Sequence, residues 1–349
     1  MKHRFEVEMG RIVTFGEIML RLAPEGFYRL FQNDRLQASF GGAEANVAVS
    51  LSNFGDDAVF ISKVPEGPVG QAAIDSLRRR GVDTGKICRG GNRLGIYYLE
   101  KGANQRGSLC IYDRKGSSIS EASAEDFDWE SIFQGADWFH FTGITPALSD
   151  TLADICEDAC KTAHKYGVTV SCDLNYRSKL WDRDTAEKVM SKLCSYVDVC
   201  IANEEDAKNI FGIEASATDV VSGVINKQGY ESIAAQLKSR FGFRYVAFTF
   251  RVSHSASHND WSGMLYDGKE SFYSPEYQIT NIVDRVGGGD SFGAGLIHGL
   301  VNGHSEQYAI NFAVAASALK HSIEGDYNLV SADEVIKLAE GDKSGRVQR

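Results

Sequence analysis

Proline is scarce, five in 349 residues, and no long polar tract interrupts the chain, which excludes extended disordered or low-complexity segments. Apolar runs are short as well. Those such as residues 197–202 break off far below the length of a membrane span, so no membrane partner is expected. Residues 1–10 carry charges on both sides of Phe5 and lack the apolar core of a signal peptide, so a cytoplasmic protein is expected. The seven cysteines, at 88, 110, 156, 160, 172, 194 and 200, are odd in number and include no Cys-x-x-Cys pair. Cys156 and Cys160 lie one helical turn apart with no second pair or His pair nearby, and buried reduced thiols are the better reading. Basic side chains number 37 against 47 acidic, a net charge of −10 that argues against nucleic acid as a partner. An anionic substrate then needs a local cationic pocket set against the global field.

What is present is a soluble globular balance, 43% apolar and 24% charged, arranged in a strand-then-helix rhythm. Strands are predicted at 12–16, 58–62, 138–141, 168–173, 197–202 and 245–250. Helices are predicted at 43–54, 70–80, 150–165, 184–196, 203–211, 232–241 and 305–321, several closed by glycine (Gly55, Gly81, Gly167). Buried strands separated by amphipathic helices predict an α/β protein with a mostly parallel central sheet covered on both faces. Two stretches break the rhythm. Residues 93–114 read as two strands joined by a Gly/Asn loop, and residues 23–40 are aromatic and extended. Together they suggest a small β lid inserted in a body formed by 1–22, 41–92 and 115–349, the alternative being extra edge strands of the main sheet.

The most informative segment is Asp284-Arg-Val-Gly-Gly-Gly-Asp-Ser-Phe-Gly-Ala-Gly-Leu-Ile-His-Gly-Leu300. Successive glycine peptides at a helix N-terminus can turn their N–H groups toward one anion. Asp290 in that position has two readings. It can simply cap the helix. Alternatively, backbone dipoles of 287–290 stabilise a moving phosphoryl group while the carboxylate takes a proton from the acceptor hydroxyl. A cap alone needs neither the three glycines Gly287, Gly288 and Gly289 nor the later Gly293 and Gly295, which permit close packing.

This segment resembles the C-terminal signature of the PfkB (ribokinase-like) carbohydrate kinases, usually Asp-Thr-x-Gly-Ala-Gly-Asp-x-Phe. Gly41-Gly-Ala-Glu-Ala-Asn-Val-Ala48 resembles the N-terminal signature of the same family. Neither is a dinucleotide fingerprint or a Walker A loop. The chain departs from the usual pattern at Arg285 and Gly288, where many members carry Thr and Ala. Within the family it is most similar to 2-keto-3-deoxygluconate kinases, through Gly16-Glu-Ile-Met-Leu-Arg-Leu22, Gly95-Ile-Tyr-Tyr-Leu-Glu100, Ile111-Tyr-Asp-Arg114, Phe141-Thr-Gly-Ile-Thr-Pro-Ala147 and Asp173-Leu-Asn-Tyr-Arg177. The resemblance implies a ribokinase-like fold, ATP and Mg²⁺, Asp290 as base, and a sugar pocket of Gly42, Asn46, Tyr97, Tyr112, Arg114, Ile144 and Arg177. Asp326, in Glu324-Gly-Asp-Tyr327, is a further pocket candidate, with a plain turn aspartate as the alternative. It also makes a homodimer through the lid plausible. Fructokinase- or ribokinase-type specificity and a non-catalytic sugar binder are the competing functions. A sugar acid needs a cation on its carboxylate, and Arg114 and Arg177 are the candidates.

On the nucleotide side, Asn203-Glu-Glu-Asp206 resembles the family's Asn-x-x-Glu motif, whose role is near magnesium-bound water, so Asp206 is a possible metal contact through water. A helix cap explains the same residues. Residues 249–261 replace the family's glycine turn with a serine- and histidine-rich loop. Thr249, Arg251 and Ser253 are its candidate nucleotide contacts. His254 and His258 are four residues apart, but in a loop they are not expected to share a face, and no acid joins them in the sequence pattern.

Overall fold

The computed structural model describes residues 10–214 and 226–342; the charged N-terminal stretch lies almost wholly outside them. In chain order the strands are β1 (Arg11–Phe15), β2 (Met19–Ala23), β3 (Gln37–Gly41), β4 (Asp57–Ile61), β5 (Lys63–Val64), β6 (Cys88–Arg89), β7 (Gly95–Glu100), β8 (Leu109–Asp113), β9 (Trp138–Thr142), β10 (Thr169–Asp173), β11 (Val199–Ala202), β12 (Tyr245–Ser255), β13 (His258–Tyr266), β14 (Ser271–Tyr273) and β15 (Tyr277–Ile279). The helices are α1 (Ala43–Phe54), α2 (Pro68–Arg78), α3 (Trp129–Phe133), α4 (Asp150–Lys165), α5 (Arg183–Cys194), α6 (Glu204–Phe211), α7 (Lys227–Phe241), α8 (Gly288–Val301), α9 (Glu306–Lys320) and α10 (Ala332–Ala339).

The nine-stranded main sheet runs β14-β13-β12-β11-β10-β9-β1-β4, with β15 added on β13. From β4 to β12 all neighbours are parallel, and β13, β14 and β15 join antiparallel. The strands read as continuous apolar runs because both faces are covered. Val13, Phe139, Val170, Cys172, Val246 and Phe248 face one core with Leu152 and Ala159 of α4, Leu193 of α5 and Leu237 of α7. Ile12, Trp138, Val199, Ile201 and Ala247 face the other, with α1, α8 and α9. Among the described residues no helix is long and apolar enough to cross a membrane.

A separate four-stranded sheet, β3-β2-β7-β8, stands off this body. It includes β2, assigned to the body on sequence, because Met19–Ala23 pairs antiparallel with β3 and parallel with β7. The small-sheet boundary therefore falls before residue 23. The second correction concerns 249–261, which is not a loop. Strand β12 runs on to Ser255 and pairs antiparallel with β13, so these residues form a long hairpin. Its β-branched and aromatic residues alternate with polar ones, a strand period that the serines and histidines obscured.

Candidate active site

The carboxyl ends of β1, β9, β10, β11 and β12 open on one side of the sheet, where ligands bind in open α/β folds. The small sheet faces them across a cleft of about 600 Å³. Its wall includes Gly42, Asn46, Tyr97, Tyr112, Arg114, Ile144, Arg177 and Asp326, expected to contact the sugar, and Asn203, Asp206, Thr249 and Arg251, expected to contact the nucleotide. Gly287, Gly288, Gly289 and Asp290 line the same cleft. Ser253 is not on the wall; it is exposed two residues further along β12.

Gly287 caps α8 in the left-handed conformation, φ 83°, and Asp290 follows in the first turn. A side chain at Gly287 would overlap the carbonyl of Asp326, so glycine is required on two counts. The turn is pinned from behind by Ser291 Oγ donating to Gly287 O at 2.7 Å and Ser317 Oγ donating to Gly288 O at 2.6 Å. Gly288 N–H is taken by the Arg285 carbonyl at 3.2 Å. The N–H groups of Gly289 and Asp290 have no protein partner among the described residues, as the first turn of a helix leaves them. Nothing stands near the position a Gly289 side chain would fill. Further along, Gly295 lets α8 approach the backbone of Ala313 in α9, whereas Gly293 makes only ordinary contact.

Asp290 does not cap its own helix. Its Oδ2 accepts from Asn46 Nδ2 at 2.7 Å, a bond from the neighbouring helix α1 that joins residues 244 apart in sequence. Burial pushes the Asp290 carboxyl up to about 7; the Asn46 bond opposes this, and nearby Glu44 and Asp326 add to it. Glu44 is itself buried, which raises it, and it accepts from Thr142 N, Thr142 Oγ1 and Thr145 Oγ1 at 3.0, 2.7 and 2.8 Å. These bonds tie α1 to the end of β9. The Gly41-Gly42 pair is needed for close approach: side chains there would overlap the Asp326 carboxylate and the Glu17 carbonyl.

Asp326 is buried on the cleft wall. Arg21 donates to it at 2.7 Å and to Asp284 at 2.5 Å, and Tyr97 Oη makes a short bond to it. Arg114 is not free either. Both its Nε, at 2.7 Å, and a terminal nitrogen donate to Glu17 Oε2. Glu17 Oε1 remains buried without a partner. Arg177, exposed on the loop after β10, makes no hydrogen bond or ion pair among the described residues, and neither does Arg251. Asn203 caps α6 in a box with Asp206. Asp206 N–H donates to Asn203 Oδ1 at 2.9 Å, and the Asp206 carboxylate accepts from the N–H groups of Asn203 and Tyr176 at 3.2 and 2.9 Å.

Sequence reasoning missed several wall residues. Glu17 stands in the Gly16–Leu22 motif but was not singled out as a site residue. Asp173 closes β10, and burial, with Asp206 and Asp290 close by, holds its carboxyl well above the usual range. Arg285 lines the cleft and donates to Ala256 O at 3.0 Å. Its signal was present as the departure from the family's Thr.

A cleft at the carboxyl edge of a parallel sheet, with a glycine-led helix N-terminus beside a carboxylate, defines a phosphotransferase acting on a hydroxyl compound. The chain belongs to the pfkB family of carbohydrate kinases, whose pattern matches residues 9–332. A 2-dehydro-3-deoxygalactonokinase of Haloferax volcanii is 32% identical over 334 residues, 96% of this chain and 98% of that protein. A 2-dehydro-3-deoxygluconokinase of Bacillus subtilis is 26% identical, over 90% of each. The crystal structure of a 2-dehydro-3-deoxygluconokinase from Thermotoga maritima superposes with a TM-score of 0.91 at 50% identity, over 95% of this chain and 99% of that one.

Proposed function

We propose that this carbohydrate kinase transfers the γ-phosphoryl group of ATP to the 6-hydroxyl of 2-keto-3-deoxygluconate, giving 2-keto-3-deoxy-6-phosphogluconate. The observation that carries the reading is that one cleft is lined by Asp290, at the helix N-terminus, and by Arg177 and Arg114. The 50% identity to the Thermotoga maritima enzyme supports the same substrate. In the reaction Asp290 accepts the proton of the sugar hydroxyl as its oxygen bonds to the γ-phosphorus and the bond to ADP breaks. Asn46 orients the carboxylate, and the uncommitted N–H groups of Gly289 and Asp290 face the charge on the moving phosphoryl group. Arg177 takes the sugar carboxylate. Arg114, ion-paired with Glu17, forms the adjoining wall with Tyr97 and Tyr112, its guanidinium 5.4 Å from the Tyr112 ring.

Arg251 and Thr249 are the nucleotide contacts of this reading. Mg²⁺, when bound, neutralises phosphate charge. Asn203 and Asp206 fit it through water only, because both Asp206 oxygens already accept backbone N–H groups. The small sheet serves as the lid over the sugar, and its exposed Leu109 and Ile111 support a homodimer through that sheet. A cytoplasmic setting is supported by cysteines that are all free thiols. The Haloferax volcanii relative favours a second substrate, 2-keto-3-deoxygalactonate. Comparing kcat/KM for the two acids decides between them: a preference for the gluconate form upholds the reading, and a preference for the galactonate form replaces it.

A further inference from the structure

The β12–β13 hairpin carries a cluster outside the sugar–nucleotide cleft. Register pairs Val252 with Asp260 and Ser255 with His258, with an irregularity between Ser253 and Ser255. The hairpin thereby gathers on one side three ligand-bearing residues, His254, His258 and Asp260, whose donor atoms all lie within 4.8 Å of one another. His254 Nε2 is 2.6 Å from Asp260 Oδ2, and the two imidazole rings are 4.5 Å apart, centroid to centroid. His258 Nε2 and Asp260 Oδ1 are both buried atoms without a hydrogen-bond partner, and they face each other at 3.8 Å.

That last distance is too long for a hydrogen bond. It is close to the roughly 3.4 Å that separates two ligand atoms each about 2.1 Å from one tetrahedral ion. A cation between them would satisfy both orphaned atoms at once. We propose that His254, His258 and Asp260 bind one divalent first-row transition ion of the zinc class, the remaining position being left to water. Two imidazoles and one carboxylate suit such an ion, whereas Mg²⁺ requires an oxygen shell, so the site is chemically distinct from the kinase's magnesium.

The placement gives the ion a role in holding the hairpin. Arg251 and Trp261 on the same two strands reach the cleft wall. The hairpin turn is bonded to the small sheet's β7–β8 connection: Ala256 N–H donates to Asn104 O at 2.7 Å, and Asn104 N–H donates to Ser257 Oγ at 3.1 Å. Arg285 donates to Ala256 O in the same turn. An ion linking β12 to β13 fastens the strands where they meet the small sheet, without touching substrate.

The test is calorimetric titration of Zn²⁺ into the full, tag-free, chelator-stripped chain, repeated with the His254→Ala/His258→Ala double variant. One equivalent should bind to the wild type and survive excess Mg²⁺, with affinity falling more than about 100-fold in the double variant. Because both histidines are partly exposed, the variant should fold. Thermal melting checks this independently, since Zn²⁺ should raise the Tm of the wild type and not of the Asp260→Asn or double variant. The proposal is overturned by absence of stoichiometric binding, by displacement with Mg²⁺, or by equal binding and equal Tm shifts in wild type and variants.

Discussion

Replacing Asp290 with Asn separates two consequences of one buried carboxyl. The carboxyl titrates near 7 in the fold, against an ordinary 3.8, chiefly because burial disfavours its charge. Between pH about 4 and 7 the unfolded chain is therefore ionised at this residue while the folded chain holds a proton. The folded state binds more protons, so the residue's contribution to stability falls as pH rises through that window and levels off above it. A window about three pH units wide, at about 1.4 kcal/mol per pH unit, sets an upper bound of about 4 kcal/mol, and partial exposure of Asp290 lowers the expectation to roughly 2–4 kcal/mol. Asn keeps an oxygen to accept the Asn46 bond and carries no charge. Asp290→Asn should thus match the wild type near pH 4 and exceed it by that amount at pH 8, measured by urea unfolding at several pH values. Turnover should fall by roughly 10²–10⁴. In the wild type kcat/KM should rise with pH through about 7, as the base becomes ionised. A variant whose stability tracks the wild type at every pH, or that keeps most activity, refutes the reasoning.

Arg177→Ala removes an exposed cation with no protein partner, so KM for a sugar acid should rise about 10- to 100-fold with kcat and folding little changed, and a neutral analogue should be unaffected. Arg114→Ala should be different, because it leaves Glu17 buried and unpaired. It should lower stability by about 3 kcal/mol, and adding Glu17→Gln should restore much of that loss, as read by denaturant unfolding of the single and double variants. Arg251→Ala should raise the KM for ATP about tenfold and leave the sugar KM unchanged; an unchanged ATP KM would remove Arg251 from the nucleotide site.

Much of this arrangement was legible in the sequence. The parallel core could be read because strands such as β9 and β11 are buried on both faces and appear as continuous apolar runs. The glycines before Asp290 could be read because a run of three at a helix start exceeds what a cap needs. What could not be read depends on register and long-range pairing. The placement of β2 in the small sheet follows from its partners in β3 and β7, which its own residues do not encode. The β12–β13 hairpin reads as a loop because Ser and His mask a strand period, and only its register brings His254 onto Asp260. Arg114 looked like a free cation because Glu17, 97 residues away, is its partner. A cap and a base are equally consistent with the residues around Asp290, and only the long-range bond from Asn46 on α1 turns its side chain away from its own helix.

The most direct measurement is ADP release with ATP and Mg²⁺, comparing 2-keto-3-deoxygluconate with fructose, ribose and gluconate at equal concentration. Strong preference for the keto-deoxy acid, lost in Arg177→Ala and nearly abolished in Asp290→Asn, is the predicted result. Faster turnover of a neutral sugar would contradict the substrate and the arginine's role, and turnover that survives Asp290→Asn would contradict the base.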